Sequence, residues 1–386
     1  MKVLFVVNGF YAKGNGLSAS ARRTVDQLRE LGVEIRVLSL ANDDPDGPQP
    51  DYPLPPVSIP IFEKLIERQG YRFAHSDKKV IKEALQWADL LHIEEPFWLQ
   101  VVVCRMAKKM GVPCVGTYHL HPENLFSSIH MRKSHYLNCS TMLFWRRTVF
   151  NKCLILQCPT QNVKERLEKW NYKPELRVIS NGMIPDDENT DKTKIPHDVF
   201  TVVSTGRYSI EKDQKTLLKA MKYCKHAKEI QLVLAGRGPR ESYLKKLASS
   251  ILDAGFIKYP VKFCFCTTDE LRKLYLSSDL YIHCATVEVE GLSCTEALGC
   301  GLVPVIARAK LSATSQFALD DRSLFEEGNS RELAQKIDWW FEHRDELEKQ
   351  SVKYANLDLK YDIRDSAKQL LQMYKDALKI VEKENK

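Results

Sequence analysis

Strand-like runs rich in apolar residues recur along the chain, and the segments between them have the residue spacing of amphipathic helices. In the first half these runs are Val3–Val7, Val33–Leu40, Leu90–Ile93, Pro113–Thr117 and Leu154–Cys158. Runs of this kind are typical of parallel sheets covered by helices on both faces, whereas strands with one solvated face alternate apolar and polar residues. The pattern therefore predicts an α/β fold with a doubly wound parallel sheet.

The same alternation starts again after a polar segment at residues 183–198, which contains two prolines and several acidic residues. The second series of predicted strands covers residues 201–205, 231–235, 261–265, 280–285 and 303–307. A chain of 386 residues is longer than a single core usually is. We therefore expect two Rossmann-like doubly wound domains that face a cleft, at residues 1–182 and 199–358, with a linker at 183–198. Residues 359–386 should form an amphipathic helix.

Two glutamates follow the predicted strand at residues 280–285. Glu288 lies in the loop with Gly291, and Glu296 falls in the first turn of a helix predicted to start near Ser293. The carboxyl edge of a parallel sheet is where open α/β folds bind ligands. A helix N-terminus favours a phosphate, and ionised carboxylates accept hydrogen bonds from hydroxyls. A nucleotide sugar carries both kinds of group.

A pair of basic residues follows the first predicted strand of the second half. Arg207 and Lys212 both lie in the expected strand-to-helix loop. Arginine can bind two phosphate oxygens with its planar fork, and lysine adds a mobile point charge. Together they are able to neutralise a diphosphate, including the charge that grows on it as it leaves. The alternative is a solvated basic loop with ordinary ion pairs.

Two features of the first half also fall beside predicted strands. Gly16 ends the loop Gly14-Asn15-Gly16 and opens a helix, where glycines let the backbone approach a phosphate closely. The third glycine of a dinucleotide-binding fingerprint is missing. His119 directly follows the strand at 113–117 and is able to orient a sugar hydroxyl as donor or acceptor. The alternative for the glycine loop is a tight turn without a ligand, and the alternative for His119 is a structural histidine.

The stretch from residue 124 to residue 164 contains no acidic residue. Basic and aromatic residues are interleaved in it, among them Arg132, Lys133, Trp145, Arg146 and Arg147. Such a surface suits contact with an anionic membrane. The alternative is that the aromatic side chains belong to the core and the basic ones line an internal phosphate site.

Composition excludes several other classes of protein. The net charge of +7 is modest, and no nucleic-acid-binding motif is recognisable, so we expect no nucleic-acid partner. The 11 cysteines lack metal-ligand spacing, which predicts free thiols in a reducing compartment and no metal site. We find neither a signal peptide nor an apolar stretch near the roughly 20 residues of a spanning helix. The expected location is the cytoplasm, peripheral to the inner face of the cell membrane.

The order of these motifs resembles that of the retaining family-4 glycosyltransferases, which have the GT-B architecture. The likeness covers nearly the whole chain and rests on Glu288-x7-Glu296, the Gly206-Arg207…Lys212 loop and Gly236-x-Gly238-Pro. It implies a hexosyltransferase whose terminal helix packs back on the first domain. The implied catalytic residues are His119, Arg207, Lys212 and Glu288, and the implied nucleotide-sugar contacts are Gly16, Arg207, Lys212, Glu288, Gly291, Leu292, Ser293 and Glu296.

The first glutamate would contact the donor sugar and the second the ribose, while Arg207 and Lys212 would bind the diphosphate. The usual Glu-Gly-Phe-Gly opening is replaced here by Glu288-Val-Glu290-Gly291. That change resembles the subgroup that transfers glucose to diacylglycerol. The resemblance implies a UDP-sugar, or else a GDP-sugar, as donor substrate, no tightly bound cofactor, and a lipid acceptor. A capsular or lipopolysaccharide glycan acceptor, a sugar-nucleotide epimerase and a non-catalytic sugar-binding module are the alternatives.

Overall fold

A computed structural model describes residues 1–12, 16–57, 71–127, 129–183 and 193–384, of which 358, 359 and 384 are described by backbone alone. The chain divides into two compact units. The first contains Met1–Pro122, Lys133–Ile184 and Ile363–Lys386, and the second contains Glu123–Arg132 and Pro185–Asp362. Residues 123–132 thus group with the second unit, although they fall within the predicted first domain, 1–182.

The first unit is built on a seven-stranded parallel sheet in the order β3-β2-β1-β4-β5-β6-β7. Its strands are β1 (Lys2–Val6), β2 (Glu34–Leu40), β3 (Tyr52–Leu54), β4 (Leu90–Ile93), β5 (Cys114–Thr117), β6 (Ile155–Cys158) and β7 (Glu175–Val178). The inner strands β1, β4, β5 and β6 are buried along most or all of their length, which explains their unbroken apolar runs. The two edge strands, β3 and β7, were missed because short edge strands carry little apolar signal.

Helices connect these strands and cover the sheet. They are α1 (Gly16–Glu30), α2 (Lys78–Trp87), α3 (Trp98–Met110), α5 (His135–Thr148) and α6 (Gln161–Lys169). The short helix α4 (Pro122–Ser127) precedes α5 in the chain but groups, from Glu123 on, with the second unit. Side chains of Asp77, Ser134 and Thr160 accept hydrogen bonds from the first backbone amides of α2, α5 and α6. Such N-caps stabilise a helix because its first amides have no partner within the helix.

The terminal helix α13 (Ile363–Glu384) belongs to the first unit. Its apolar face, including Met373, Tyr374 and Ala377, shares one core with Val25 and Leu28 of α1. The start of α13 packs against Gly182, since a Cβ added at Gly182 would lie 2.5 Å from the Cα of Ile363. A backbone hydrogen bond of 2.9 Å from the Ile363 amide to the Met183 carbonyl fixes the same junction.

The second unit contains a six-stranded parallel sheet in the order β10-β9-β8-β11-β13-β15. These strands are β8 (Phe200–Thr205), β9 (Ile230–Ala235), β10 (Lys262–Cys264), β11 (Leu280–His283), β13 (Val303–Arg308) and β15 (Leu324–Glu326). A separate pair joins β12 (Val287–Glu288) to β14 (Leu311–Ser312). The helices are α7 (Gln214–Ala220), α8 (Glu241–Asp253), α9 (Thr268–Leu276), α10 (Leu292–Gly299), α11 (Ser330–Glu342) and α12 (Arg344–Ala355). The predicted fold class, two doubly wound parallel sheets, is confirmed.

Candidate donor-sugar site

The predicted site residues Arg207, Lys212 and Glu288 follow the two strands at which the strand order of the second sheet reverses. Strands β8 and β11 are neighbours at this point, and the chain leaves them in opposite lateral directions. Such a switch point leaves a crevice at the carboxyl ends of the strands. The loop after β8 carries Arg207 and Lys212, and the loop after β11 leads to Glu288.

Lys212 and Glu288 come together at this edge. The Lys212 ammonium donates a hydrogen bond to Glu288 Oε2, and the two side chains are 19% and 18% exposed. The aliphatic part of Lys212 passes beside Gly206, at 3.8 Å from the position of an added Cβ. Gly206 has a φ of +131°, which other residues rarely adopt. A cation and a carboxylate therefore face the crevice together.

Arg207 is held by a buried carboxylate in its own loop. Its guanidinium donates to Glu211 Oε1 at 2.7 Å, and the Ser209 hydroxyl donates to the same oxygen at 2.6 Å. Burial by itself would raise the pKa of Glu211, but Arg207 and the hydroxyls of Ser209 and Ser127 bring that pKa below its usual value. Glu211 is thus a charged anchor that sets the position of Arg207.

The Gly236-x-Gly238 pair has a structural role in this site. A Cβ added at Gly236 would lie 2.0 Å from the Gly206 carbonyl oxygen. A Cβ added at Gly238 would lie 2.5 Å from the Tyr208 carbonyl oxygen. The Tyr208 amide donates to the Arg237 carbonyl at 2.8 Å. The loop after β9 therefore packs directly against the loop that carries Arg207 and Lys212, and only glycine permits that approach.

Helix α10 begins at Leu292, with Gly291 as its left-handed N-cap at a φ of 92°. A Cβ on Gly291 would lie 2.2 Å from Thr314 Cγ2, so the turn requires glycine in both conformation and space. Ser293 lies in the first turn. Glu296 is the fifth residue and starts the second turn, so its predicted place in the first turn is wrong. Burial raises the pKa of the Tyr275 hydroxyl, and the negative charge of Glu296 raises that pKa further.

His283, the last residue of β11, was not singled out from the sequence. Its Nδ1 lies 3.1 Å from the Tyr281 hydroxyl, which donates to Ser293 Oγ at 3.2 Å. The Tyr281 hydroxyl is also 3.2 Å from Thr205 Oγ1. The only available signal was a polar residue ending an apolar strand.

A second polar group lies at the carboxyl edge of the first sheet, within the first unit. His119 Nε2 is 2.7 Å from one oxygen of Glu94, and His92 Nε2 is 2.8 Å from the other. His92 Nδ1 is 2.6 Å from the hydroxyl of Tyr374 on α13. Burial alone would raise the pKa of Glu94, but the imidazoles of His119 and His92 hold it well below its usual range.

The loop after β1 is only partly described. Gly16 begins α1 and is exposed, with no atom within 4 Å of an added Cβ. Gly14 and Asn15 lie outside the described residues, as does most of the predicted linker. Next to this loop, Glu95 Oε2 accepts hydrogen bonds from the backbone and side-chain amides of Asn8, at 2.6 and 2.9 Å.

The basic stretch is divided between core and surface. Trp145 is 3% exposed, so its predicted contact with lipid is wrong: it is a core residue. Arg146 donates to the Trp170 carbonyl at 2.5 Å, and Arg132 donates to Thr286 Oγ1. Lys133 and Arg147 are exposed.

Tyr136 and Phe144, both on α5, are 79% and 48% exposed. Helical geometry of about 100° per residue brings Tyr136, Phe144 and Arg147 within an arc of roughly 80°. We call these three residues, together with the exposed Lys133 that precedes the helix, the α5 surface. Within the described ranges, no helix is both long and apolar enough to cross a membrane. Among all residues that the structure describes, no group of three or more His, Cys, Asp or Glu is able to hold a metal ion.

Two parallel-sheet α/β domains, with charged groups at the carboxyl edges, define the GT-B class of protein. Residues 185–358 match the model for glycosyl transferases group 1, and residues 14–187 match the model for glycosyltransferase family 4. The chain belongs to glycosyltransferase family 4, as its motifs indicated.

The chain is also similar to individual relatives and solved structures. The alpha-monoglucosyldiacylglycerol synthase of Streptococcus pneumoniae is 24% identical over 327 residues, which are 80% of this chain and 71% of that protein. The crystal structure of Anabaena HepE in complex with UDP and glucose is similar with a TM-score of 0.71 at 19% identity, covering 97% of this chain and 100% of the other. The catalytic domain of cholesterol-alpha-glucosyltransferase from Helicobacter pylori is 43% identical, with a TM-score of 0.40, covering 42% of this chain and 99% of that domain.

Proposed function

We propose that this glycosyltransferase moves glucose from UDP-glucose, with retention of configuration, to a membrane lipid with a free hydroxyl, such as 1,2-diacylglycerol. The observation that carries the donor part is the contact between Lys212 and Glu288 at the switch point of the second sheet. The named activity of the Streptococcus pneumoniae relative supports the lipid acceptor.

Each charged residue has a role in this proposal. Lys212 and Arg207 bind the diphosphate and stabilise the charge that develops on it as the sugar departs, a term that usually dominates such chemistry. Glu288 accepts hydrogen bonds from the sugar, and Glu296 accepts them from the ribose. The amides at the start of α10 add partial positive charge toward the phosphates.

In the first unit, His119 orients the transferred sugar, with Glu94 as its charged partner. Retention is proposed to follow from attack by the acceptor hydroxyl on the face that the diphosphate leaves. Gly16 provides a close backbone approach at the start of α1.

The decisive experiment is a donor and acceptor panel scored by released nucleotide. UDP-glucose, UDP-N-acetylglucosamine and GDP-mannose are each incubated with diacylglycerol, a sterol, a lipopolysaccharide oligosaccharide, or no acceptor. A sterol is included because it also presents a single hydroxyl on an apolar body. We expect UDP release from UDP-glucose that depends on a lipid acceptor, and an α-linked product by NMR.

Variants test the assigned residues. Lys212→Ala and Glu296→Ala should each reduce kcat/KM by about 100-fold or more, as expected when a transition-state contact is removed. Lys219→Ala is the matched control, because this lysine is exposed on α7. Near-normal turnover by Lys212→Ala would refute the donor site.

Sugar conversion without an acceptor would favour an epimerase, and glycan-dependent release would identify a glycan acceptor.

We also infer that the α5 surface contacts anionic membranes, which would place the enzyme at the inner face of the cell membrane. Exposed aromatic rings and basic side chains on one helix face are typical of interfacial binding. Lys133→Glu with Arg147→Glu should weaken sedimentation with vesicles that contain phosphatidylglycerol. Lys219→Glu with Lys246→Glu, at two exposed lysines of the second unit, serves as the charge-matched control. Equal sedimentation of both variants would remove the membrane contact.

A further inference from the structure

His283 is buried at the donor site with one ring nitrogen unused. The side chain is 2% exposed, and among the described residues its Nε2 has no hydrogen-bond partner. One carboxylate oxygen, Glu288 Oε2, lies 3.9 Å from it. Leaving a buried polar atom unpaired costs about 1–3 kcal/mol, so such an atom next to a site calls for a partner.

The imidazole is neutral at physiological pH. Burial, reinforced by the neighbouring positive charge of Lys212, lowers the pKa of His283 to about 3. The approach to Glu288 is therefore not an ion pair, and at 3.9 Å it is too long for a hydrogen bond.

The neighbouring hydroxyl determines which nitrogen carries the proton. Tyr281 donates its hydroxyl proton to Ser293 Oγ, so its oxygen is left to accept from His283 Nδ1–H at 3.1 Å. A neutral imidazole has one N–H, which leaves the Nε2 lone pair as an acceptor. Two acceptors, Nε2 and Glu288 Oε2, then face each other without a proton between them.

A hydroxyl is the group that completes this arrangement. It can donate its proton to Nε2 and accept one from the ammonium of Lys212, which already contacts Glu288. A phosphate oxygen cannot donate, and a cation would be repelled by Lys212. We propose that His283 is a specificity-determining residue of the donor site, where its Nε2 accepts a hydrogen bond from one hydroxyl of the transferred sugar. This inference rests on the proposed donor function.

The test couples single atoms of the enzyme to single hydroxyls of the donor. UDP-glucose and its 2-, 3-, 4- and 6-deoxy analogues are compared for kcat/KM, and for Kd by calorimetry, with wild type, His283→Asn and His283→Gln. The asparagine amide reaches the position of Nδ1 and keeps the contact with Tyr281, whereas the glutamine amide reaches the position of Nε2. Thermal denaturation checks that each variant folds.

Wild type should lose about 3- to 10-fold with one deoxy donor, the range of a single hydrogen bond. His283→Asn should lose a similar factor with UDP-glucose and nothing further with that same deoxy donor, while His283→Gln should retain the sensitivity. Multiplicative losses, or equal sensitivity in wild type and His283→Asn, would show that Nε2 binds only water and would overturn the proposal. Failure of wild type to bind or turn over any UDP-sugar would instead refute the donor function itself.

Discussion

Gly236→Ala is expected to damage the donor site without changing any charged residue. The new Cβ would lie 2.0 Å from the Gly206 carbonyl oxygen and 3.3 Å from the Tyr208 ring. Since Cβ contacts below 3.0 Å essentially do not occur, one of the two loops must move by about 1 Å (3.0 − 2.0). The loop that carries Arg207 and Lys212 is one of these two.

Two magnitudes follow from this displacement. Forcing one extra methyl group into a packed region costs about 1–3 kcal/mol of folding stability. Misplacing binding groups by about 1 Å costs roughly 100-fold in catalysis. We therefore expect kcat/KM for the donor to fall about 100-fold while the second unit remains folded.

Donor kinetics and thermal denaturation measure both effects, with Gly255→Ala as the control. Gly255 also lies in the second unit and has a φ of +71°, but no atom lies within 4 Å of an added Cβ. The control should lose about 1 kcal/mol through backbone strain and keep kcat/KM within about twofold. Wild-type kcat/KM and stability in Gly236→Ala would show that the two loops are not closely packed.

Three further predictions concern other anchors of the fold and sites. Glu211→Gln should weaken binding of UDP about 10-fold in calorimetry, because Arg207 loses its charged partner. The pKa of Glu211 is lowered in the folded state, so its stabilisation is present above about pH 4.5 and is lost as the pH falls below that value. Acid denaturation should thus be less steep in Glu211→Gln than in wild type, and superimposable curves would contradict this. Glu94→Gln should lower kcat/KM for the donor about 10-fold, because His119 loses its charged partner; an unchanged kcat/KM would count against that pairing. Gly182→Ala, which has a φ of +70° and would place a Cβ 2.5 Å from the next segment, should lower resistance to proteolysis at the start of α13; wild-type cleavage rates would argue against it.

The sequence predicted those parts of the fold that depend on local patterns. The runs that became β1, β4, β5 and β6 are apolar throughout because helices cover both faces of an inner parallel strand. The strand before Glu288 and the helix after it were likewise readable from apolar spacing and one glycine, but Glu288 itself lies in the short strand β12 and not in the predicted loop. Edge strands β3 and β7 were not predicted, because they are short and each pairs with only one neighbouring strand.

The burial of single side chains could also not be predicted from the sequence. Trp145 and Tyr136 lie in the same basic helix, yet the first is a core residue and the second is exposed. The spacing alone does not say which face of a weakly amphipathic helix meets the sheet. The membrane-contact prediction therefore included one residue that the packing of α5 turns inward.

The sequence by itself determined the two α/β halves and the acids and bases that end their strands, because apolar periodicity and strand-to-helix loops are local properties. Tertiary structure decided which of these groups meet. Tyr374 reaches His92 across 282 residues of chain, and Lys212 reaches Glu288 across 76. It also decided that the Nε2 of His283 is buried beside Glu288 without a partner among the described residues. Such contacts depend on the packing of distant segments, which no local pattern encodes.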